Sequence, residues 1–137
     1  MAASSETKTA TTLTTLINVR RGAEAIDFYT RAFGTTILSR IDAPDRSVVA
    51  HLSVGSGDFW LADESPANQN FSPETLGGST MRMVVITDDP HAAFERAIAA
   101  GALSICPVRD EDYGWRVGRV VDPFGHHWEI GKPLSSS

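Results

Sequence analysis

Two stretches of this chain repeat apolar residues at spacings of three and four. In GAEAIDFYTRAFG, residues 22–34, Ala25, Ile26, Tyr29, Ala32 and Phe33 fall on one face, which predicts a helix stopped by Gly34. In DPHAAFERAIAAG, residues 89–101, Asp89 stands at the cap, Pro90 in the first turn and Gly101 at the end, which predicts a second helix. Around them the pattern shortens to that of strands. TLTTLINV (12–19), TTILSRI, SVVAHLSV and DFWLAD lie around the first helix. TMRMVVIT (80–87), LSICPV, WRVGRVVD and HHWEI lie around the second. ESPANQNFSPETLGG, residues 64–78, carries Pro, Asn and Gly without a period and reads as a loop.

The order strand, helix, three strands therefore occurs twice, the mark of an internal repeat. Ala25 and Ala92 lie 67 residues apart, as do Ala32 and Ala99, and Gly34 and Gly101. Further on the offset becomes 68, pairing Gly57 with Gly125 and Trp60 with Trp128.

Composition narrows the picture. A length of 137 residues suits one domain with a core. The net charge of −5, with no block of basic residues, argues against a nucleic-acid partner. Cys106 is the single cysteine, which rules out an internal disulfide, fits a reducing compartment and reads as an inert thiol. The polar start MAASSETKTATT carries no apolar signal core, and no run approaches the ~18 apolar residues of a membrane span. A cytoplasmic setting is expected. Residues 1–10 read as a disordered tail and 133–137 as a second tail.

The candidate chemistry concentrates in DPFGHHWEIG, residues 122–131. His127 and Glu129 are two apart on a strand and share a face. His51 alternates with Val48, Ala50, Leu52 and Val54, so it points away from them. Were His51, His127 and Glu129 to converge, they would form a two-histidine, one-carboxylate metal set. Otherwise His126 and His127 are turn or surface residues and His51 is a hydrogen-bonded polar residue of a cavity.

AIDFYTRAFG after the first strand, AAFERAIAAGA after the fifth and GRVVDPFGHHWEIG at the end carry a family resemblance. Over residues 11–132 the chain resembles the vicinal oxygen chelate superfamily of glyoxalases, bleomycin-resistance proteins and extradiol dioxygenases, and most of all its PhnB-like branch. The resemblance implies an α+β fold of two βαβββ modules, residues 11–63 and 79–132 joined by 64–78, forming a curved mixed-sheet cup and pairing as a homodimer.

It also implies four metal-ligand places, on the first, fourth, fifth and eighth strands. Counting back from Phe28 reaches Thr14. An offset of 68 carries Thr14 to Arg82, and 67 would carry it to Met81. The eighth-strand place is Glu129, and the same offset of 68 gives Leu61 as its fourth-strand mate. Of these only Glu129 is a competent ligand, and a permanent cation at Arg82 would repel a metal. No metal and no cofactor are expected. Arg82 and Glu129 would pair, either as structural filling or as the polar anchor of a ligand pocket.

Trp60 and Trp128 read as matched core residues, with Trp60 also a candidate pocket wall. Trp115 after DEDYG suits a pocket rim, and Arg116 has a possible inward role beside it. The expected function is that of a small-molecule-binding protein of the bleomycin-resistance type. Arg82, Trp60, Trp115, Arg116, Thr14 and Leu61 would contact an apolar or aromatic ligand. The alternative is an enzyme, using a shifted metal set of His51, His127 and Glu129, or using Glu129 or His51 as a metal-free general base.

Overall fold

The computed structural model describes residues 6–135. The tails expected at 1–10 and 133–137 therefore fall in part, at 1–5 and 136–137, outside the described residues.

The chain makes two four-stranded mixed sheets. The first holds β1 (Leu16–Val19), β2 (Thr36–Asp42), β3 (Val48–Val54) and β4 (Gly57–Asp63) in the order β1-β4-β3-β2. The second holds β5 (Arg82–Ile86), β6 (Leu103–Asp110), β7 (Trp115–Val121) and β8 (His127–Pro133) in the order β5-β8-β7-β6. β1 runs parallel to β4 and β5 parallel to β8, while the other pairs are antiparallel. Helix α1 (Gly22–Phe33), the short α2 (Pro73–Leu76) and α3 (Pro90–Ala100) complete an α+β fold with the expected repeat of element order. Among the described residues no helix is long and apolar enough to cross a membrane.

Both long helices form where the spacing predicts. The backbone N–H of Gly34, at φ 67°, closes α1 onto the Thr30 carbonyl, a conformation open to glycine. Asp89 caps α3 by accepting from the Ala92 N–H. β1 starts at Leu16, later than its β-branched run, although the Thr15 carbonyl still accepts from the Trp60 N–H of β4 at 2.7 Å. Residues 64–78 are more ordered than a featureless loop. They make a 3-10 turn at Pro66–Asn68 and the helix α2. Glu64 ties them down, accepting from the Ser72 N–H and the Thr75 hydroxyl.

Each sheet buries one face against the helices and leaves the other bare. In β3 and β4 the inward set is Val48, Ala50, Leu52, Phe59 and Leu61; in β7 and β8 it is Gly118, Val120, Trp128 and Ile130. The two modules share this core. Tyr29 of α1 sits among Phe28, Phe59, Phe124 and Trp128, and the Phe33 ring stacks on Trp128 at 4.3 Å between centroids.

One polar group lies at the centre of this apolar region. Asp122 is buried, and both its carboxylate oxygens are satisfied. Oδ2 accepts from the Tyr29 hydroxyl at 2.5 Å and from Trp128 Nε1 at 2.9 Å. Oδ1 accepts from the backbone N–H groups of Phe124 and His126, each at 2.9 Å. His126 Nε2 bonds the Asn18 carbonyl at 2.8 Å, tying the same turn to β1. Burial first, and then the adjacent carboxylate, push the Tyr29 hydroxyl well above its ordinary pKa.

Tyr29→Phe removes one donor and leaves a buried carboxylate short of a partner. Urea unfolding is expected to show a loss of about 1–3 kcal/mol. Because Tyr29 holds its proton more tightly when folded, its contribution is complete below pH 10 and is lost as pH rises beyond it. Stability above pH 10 should therefore fall more steeply in the wild type than in Tyr29→Phe. The Glu64 carboxyl is pulled down to about 2, mainly by the Ser72 N–H and the Thr75 hydroxyl. Its contribution is complete above its ordinary value of 4.5 and fades as pH falls toward 2. Acid unfolding of Glu64→Gln should accordingly be less steep across that interval, and an unchanged slope would refute the tie.

Candidate functional site

The bare faces of the two sheets carry the polar candidates. On the first sheet β3 turns His51 outward, since Ala50 and Leu52 on either side are buried. β4 turns Trp60 outward between Phe59 and Leu61. His51 and Trp60 are direct cross-strand partners. Their rings stack 4.1 Å apart with an interplanar angle of 2°. His51 Nε2 bonds Asp58 Oδ2 at 2.5 Å, and the Thr14 hydroxyl reaches the same oxygen at 3.4 Å. With Nε2 donating to a carboxylate, a neutral His51 presents Nδ1 as an acceptor. The alternation rule identified the face of His51, but Asp58 was missed. Its only sequence signal is a place at the start of β4, just after the Gly55–Ser56 turn.

On the second sheet Arg82 lies opposite His127, Val84 opposite Glu129, and Glu129 opposite Arg119. Arg82 Nε stands 3.4 Å from Glu129 Oε2, so the expected pair forms. Arg119, absent from the sequence candidates, donates through Nε to His127 Nδ1 at 3.1 Å. Burial first, and then the Arg119 charge, hold the His127 imidazole below its ordinary pKa, so the ring is neutral near pH 7. Trp115 shares this open face of β7 with Val117 and Arg119, half-buried near the sheet end.

Three readings need correction. Leu61 does not reach the open face; it is fully buried against the helices, and the counterpart of Glu129 is Trp60. Four residues separate Ser53 from Asp58 in the β3–β4 hairpin, whereas five separate the equivalent Val121 and His127. That extra residue raises the offset to 69 in the last strand, so Trp128 matches Phe59 and Trp60 leaves the core. Arg116 falls on the helix side with Gly118 and Val120 and is engaged by Asp110 at 2.7 Å. This pairing lowers the Asp110 carboxyl and raises the Arg116 guanidinium. His51, finally, lies on the first sheet with Asp58, and His127 lies on the second with Arg119, so the three-residue set with Glu129 does not converge within the chain.

A cavity of about 810 Å³ runs along the unpaired edge of β5. The β3–β4 turn, the end of α1 at Phe33 and the start of α3 enclose it, and Asp58 and Arg82 both line it. No residue of 64–78 lines this cavity. Among the described residues, no three His, Cys, Asp or Glu side chains gather in a group able to hold a metal ion. At the places the resemblance assigns to a metal stand Thr14, Trp60, Arg82 and Glu129, a donor set with one carboxylate and a guanidinium against it. These residues do not fit a divalent ion.

Comparison with known proteins agrees with this geometry at the level of the fold. TioX from Micromonospora sp. ML1 superposes with a TM-score of 0.71 at 26% identity, over 91% of this chain and all (100%) of that one. Glyoxalase I from Zea mays aligns with a TM-score of 0.68 over 88% of this chain and 44% of its own, with an identity of 18% that speaks to the fold alone. An uncharacterised protein of Mycobacterium tuberculosis is 37% identical over 116 residues, 82% of this chain and 68% of its own length. The model of the glyoxalase/bleomycin resistance protein/dioxygenase superfamily matches residues 11–130. With nearly the whole domain inside that match, the chain belongs to the glyoxalase/bleomycin resistance protein/dioxygenase superfamily.

Proposed function

We propose that this protein binds an apolar or aromatic small molecule on its open sheet faces, as a homodimer and without a metal at the family's place. One observation carries the reading. The Arg82 guanidinium stands at one of the family's metal positions and pairs with the Glu129 carboxylate at 3.4 Å. A cation would have to displace it and would then find one carboxylate. Trp60, stacked on His51, offers an aromatic surface on the first sheet, and Trp115 offers another on the second. The homodimer is supported by apolar side chains left bare on both faces, among them Leu16, Val49, Val84 and Ile86, and by the unpaired edges of β1 and β5. The net charge of −5 speaks against a nucleic-acid partner, and a lone thiol at Cys106 suits a reducing cytoplasm.

A second reading has its own observation. Asp58 holds His51 as an Asp–His pair, the arrangement of a metal-free general base with Nδ1 turned to a substrate. In that case turnover would survive chelators and fall in both His51→Ala and Asp58→Asn.

Metal analysis after adding back Zn, Fe, Mn, Ni and Co separates binding from metal catalysis. Well below one metal per subunit is expected, and stoichiometric metal lost in Glu129→Ala would overturn the proposal. Saturable quenching of tryptophan fluorescence by an aromatic ligand panel, weakened in Trp60→Leu and unaccompanied by turnover, is the positive result. Sedimentation at equilibrium tests the homodimer directly.

A further inference from the structure

The binding role proposed above leaves the ligand's polar group unnamed, and the second sheet supplies an answer that rests on that role. Four polar side chains meet on its open face, with Arg82 opposite His127 and Arg119 opposite Glu129. Their mutual contacts engage Glu129 Oε2 and the one acceptor of a neutral His127, and leave several donors free. Glu129 is engaged by Arg82. The lone acceptor of a neutral His127 ring, Nδ1, is taken by Arg119 Nε at 3.1 Å, which puts the ring proton on Nε2. Arg119 has no carboxylate within 4.0 Å among the described residues, because its cross-strand neighbour Glu129 turns to Arg82 instead. The two terminal nitrogens of Arg119 and the His127 Nε2–H therefore remain as donors. Two guanidiniums against one carboxylate leave one positive charge in excess, on a chain whose net charge is −5.

We infer that Arg119 and His127 form a subsite for the carboxylate of an organic acid. The planar guanidinium end of Arg119 takes the carboxylate in a forked bond, and His127 Nε2–H adds a third donor. Arg82, tied to Glu129, supplies charge from the neighbouring row. Val84, Val117 and Val121 around these groups give the acid's apolar body a surface to lie on. A single excess charge suits a monoanionic carboxylate better than a phosphate dianion, which would need a second unpaired cation.

The probes are 2-naphthoate and its neutral analogue 2-naphthamide, titrated by tryptophan fluorescence and calorimetry. The wild type is expected to bind naphthoate about tenfold more tightly than naphthamide, as a charge-assisted contact warrants. Arg119→Met should abolish the preference, weakening naphthoate binding about tenfold and naphthamide binding by less. Glu129→Gln, which releases Arg82, should raise naphthoate affinity severalfold. Both side chains lie on the open face, and circular dichroism verifies the fold of each variant. Equal binding of the two probes, or a preference that survives Arg119→Met, overturns the subsite while the binding role stands. A fall in naphthoate affinity in Glu129→Gln also overturns it. Failure of both probes to bind at millimolar concentration defeats the binding role and the subsite together.

Discussion

The buried carboxylate of Asp122 is the constraint on which the other features depend. A charge removed from water is costly unless every lone-pair direction is used. Here four donors meet it, and they come from different parts of the chain: a tyrosine in α1, a tryptophan in β8 and two backbone groups of the β7–β8 turn. The bond from Tyr29 docks the first module on the second. The turn bonds set where β8 begins, and so which of its side chains face the core. With Trp128 drawn inward by its own bond to Asp122, His127 and Glu129 must face outward. A stabilising interaction on the buried side thus determines the chemistry displayed on the open side.

That division of labour extends through both sheets. The helix-facing sides are apolar, aromatic and closely packed, with Phe33 stacked on Trp128 between the modules. The open sides hold nearly all the groups with chemical capacity: the Asp58–His51–Trp60 stack on one sheet and the Arg82–Glu129 and Arg119–His127 pairs on the other. On the second sheet two guanidiniums stand on the open face, and a guanidinium draws oxygen acceptors through directed hydrogen bonds.

Much of the architecture was legible because its signals are local. The helices follow from three- and four-residue spacing with stops at Gly34 and Gly101, and the outward face of His51 follows from strict alternation in β3. Errors arose where a count had to cross a turn. One extra residue in the β7–β8 connection moves the repeat offset by one, and in a strand a shift of one residue exchanges the two faces. That is why Leu61 was expected where Trp60 stands. Arg116 was expected inward because it follows a polar turn, whereas alternation with the buried Gly118 and Val120 puts it on the helix side.

The sequence by itself determined the fold class, the repeated module, the Asp-Pro-Phe-Gly turn and the presence of a glutamate and an arginine at two of the family's metal places. The helices, the repeat and the turn rest on periodicity, turn chemistry and spacing, all of which a linear chain displays, whereas the fold class and the two metal places are what the family resemblance implies. Only the tertiary structure decided which polar groups meet. Asp58 reaches His51 across a hairpin, Arg119 reaches His127 across the next pair of strands, and Tyr29 reaches Asp122 from 93 residues away. Such contacts depend on strand register and on which rotamer satisfies each donor, and those are settled by packing and by the cost of leaving a polar group unpaired.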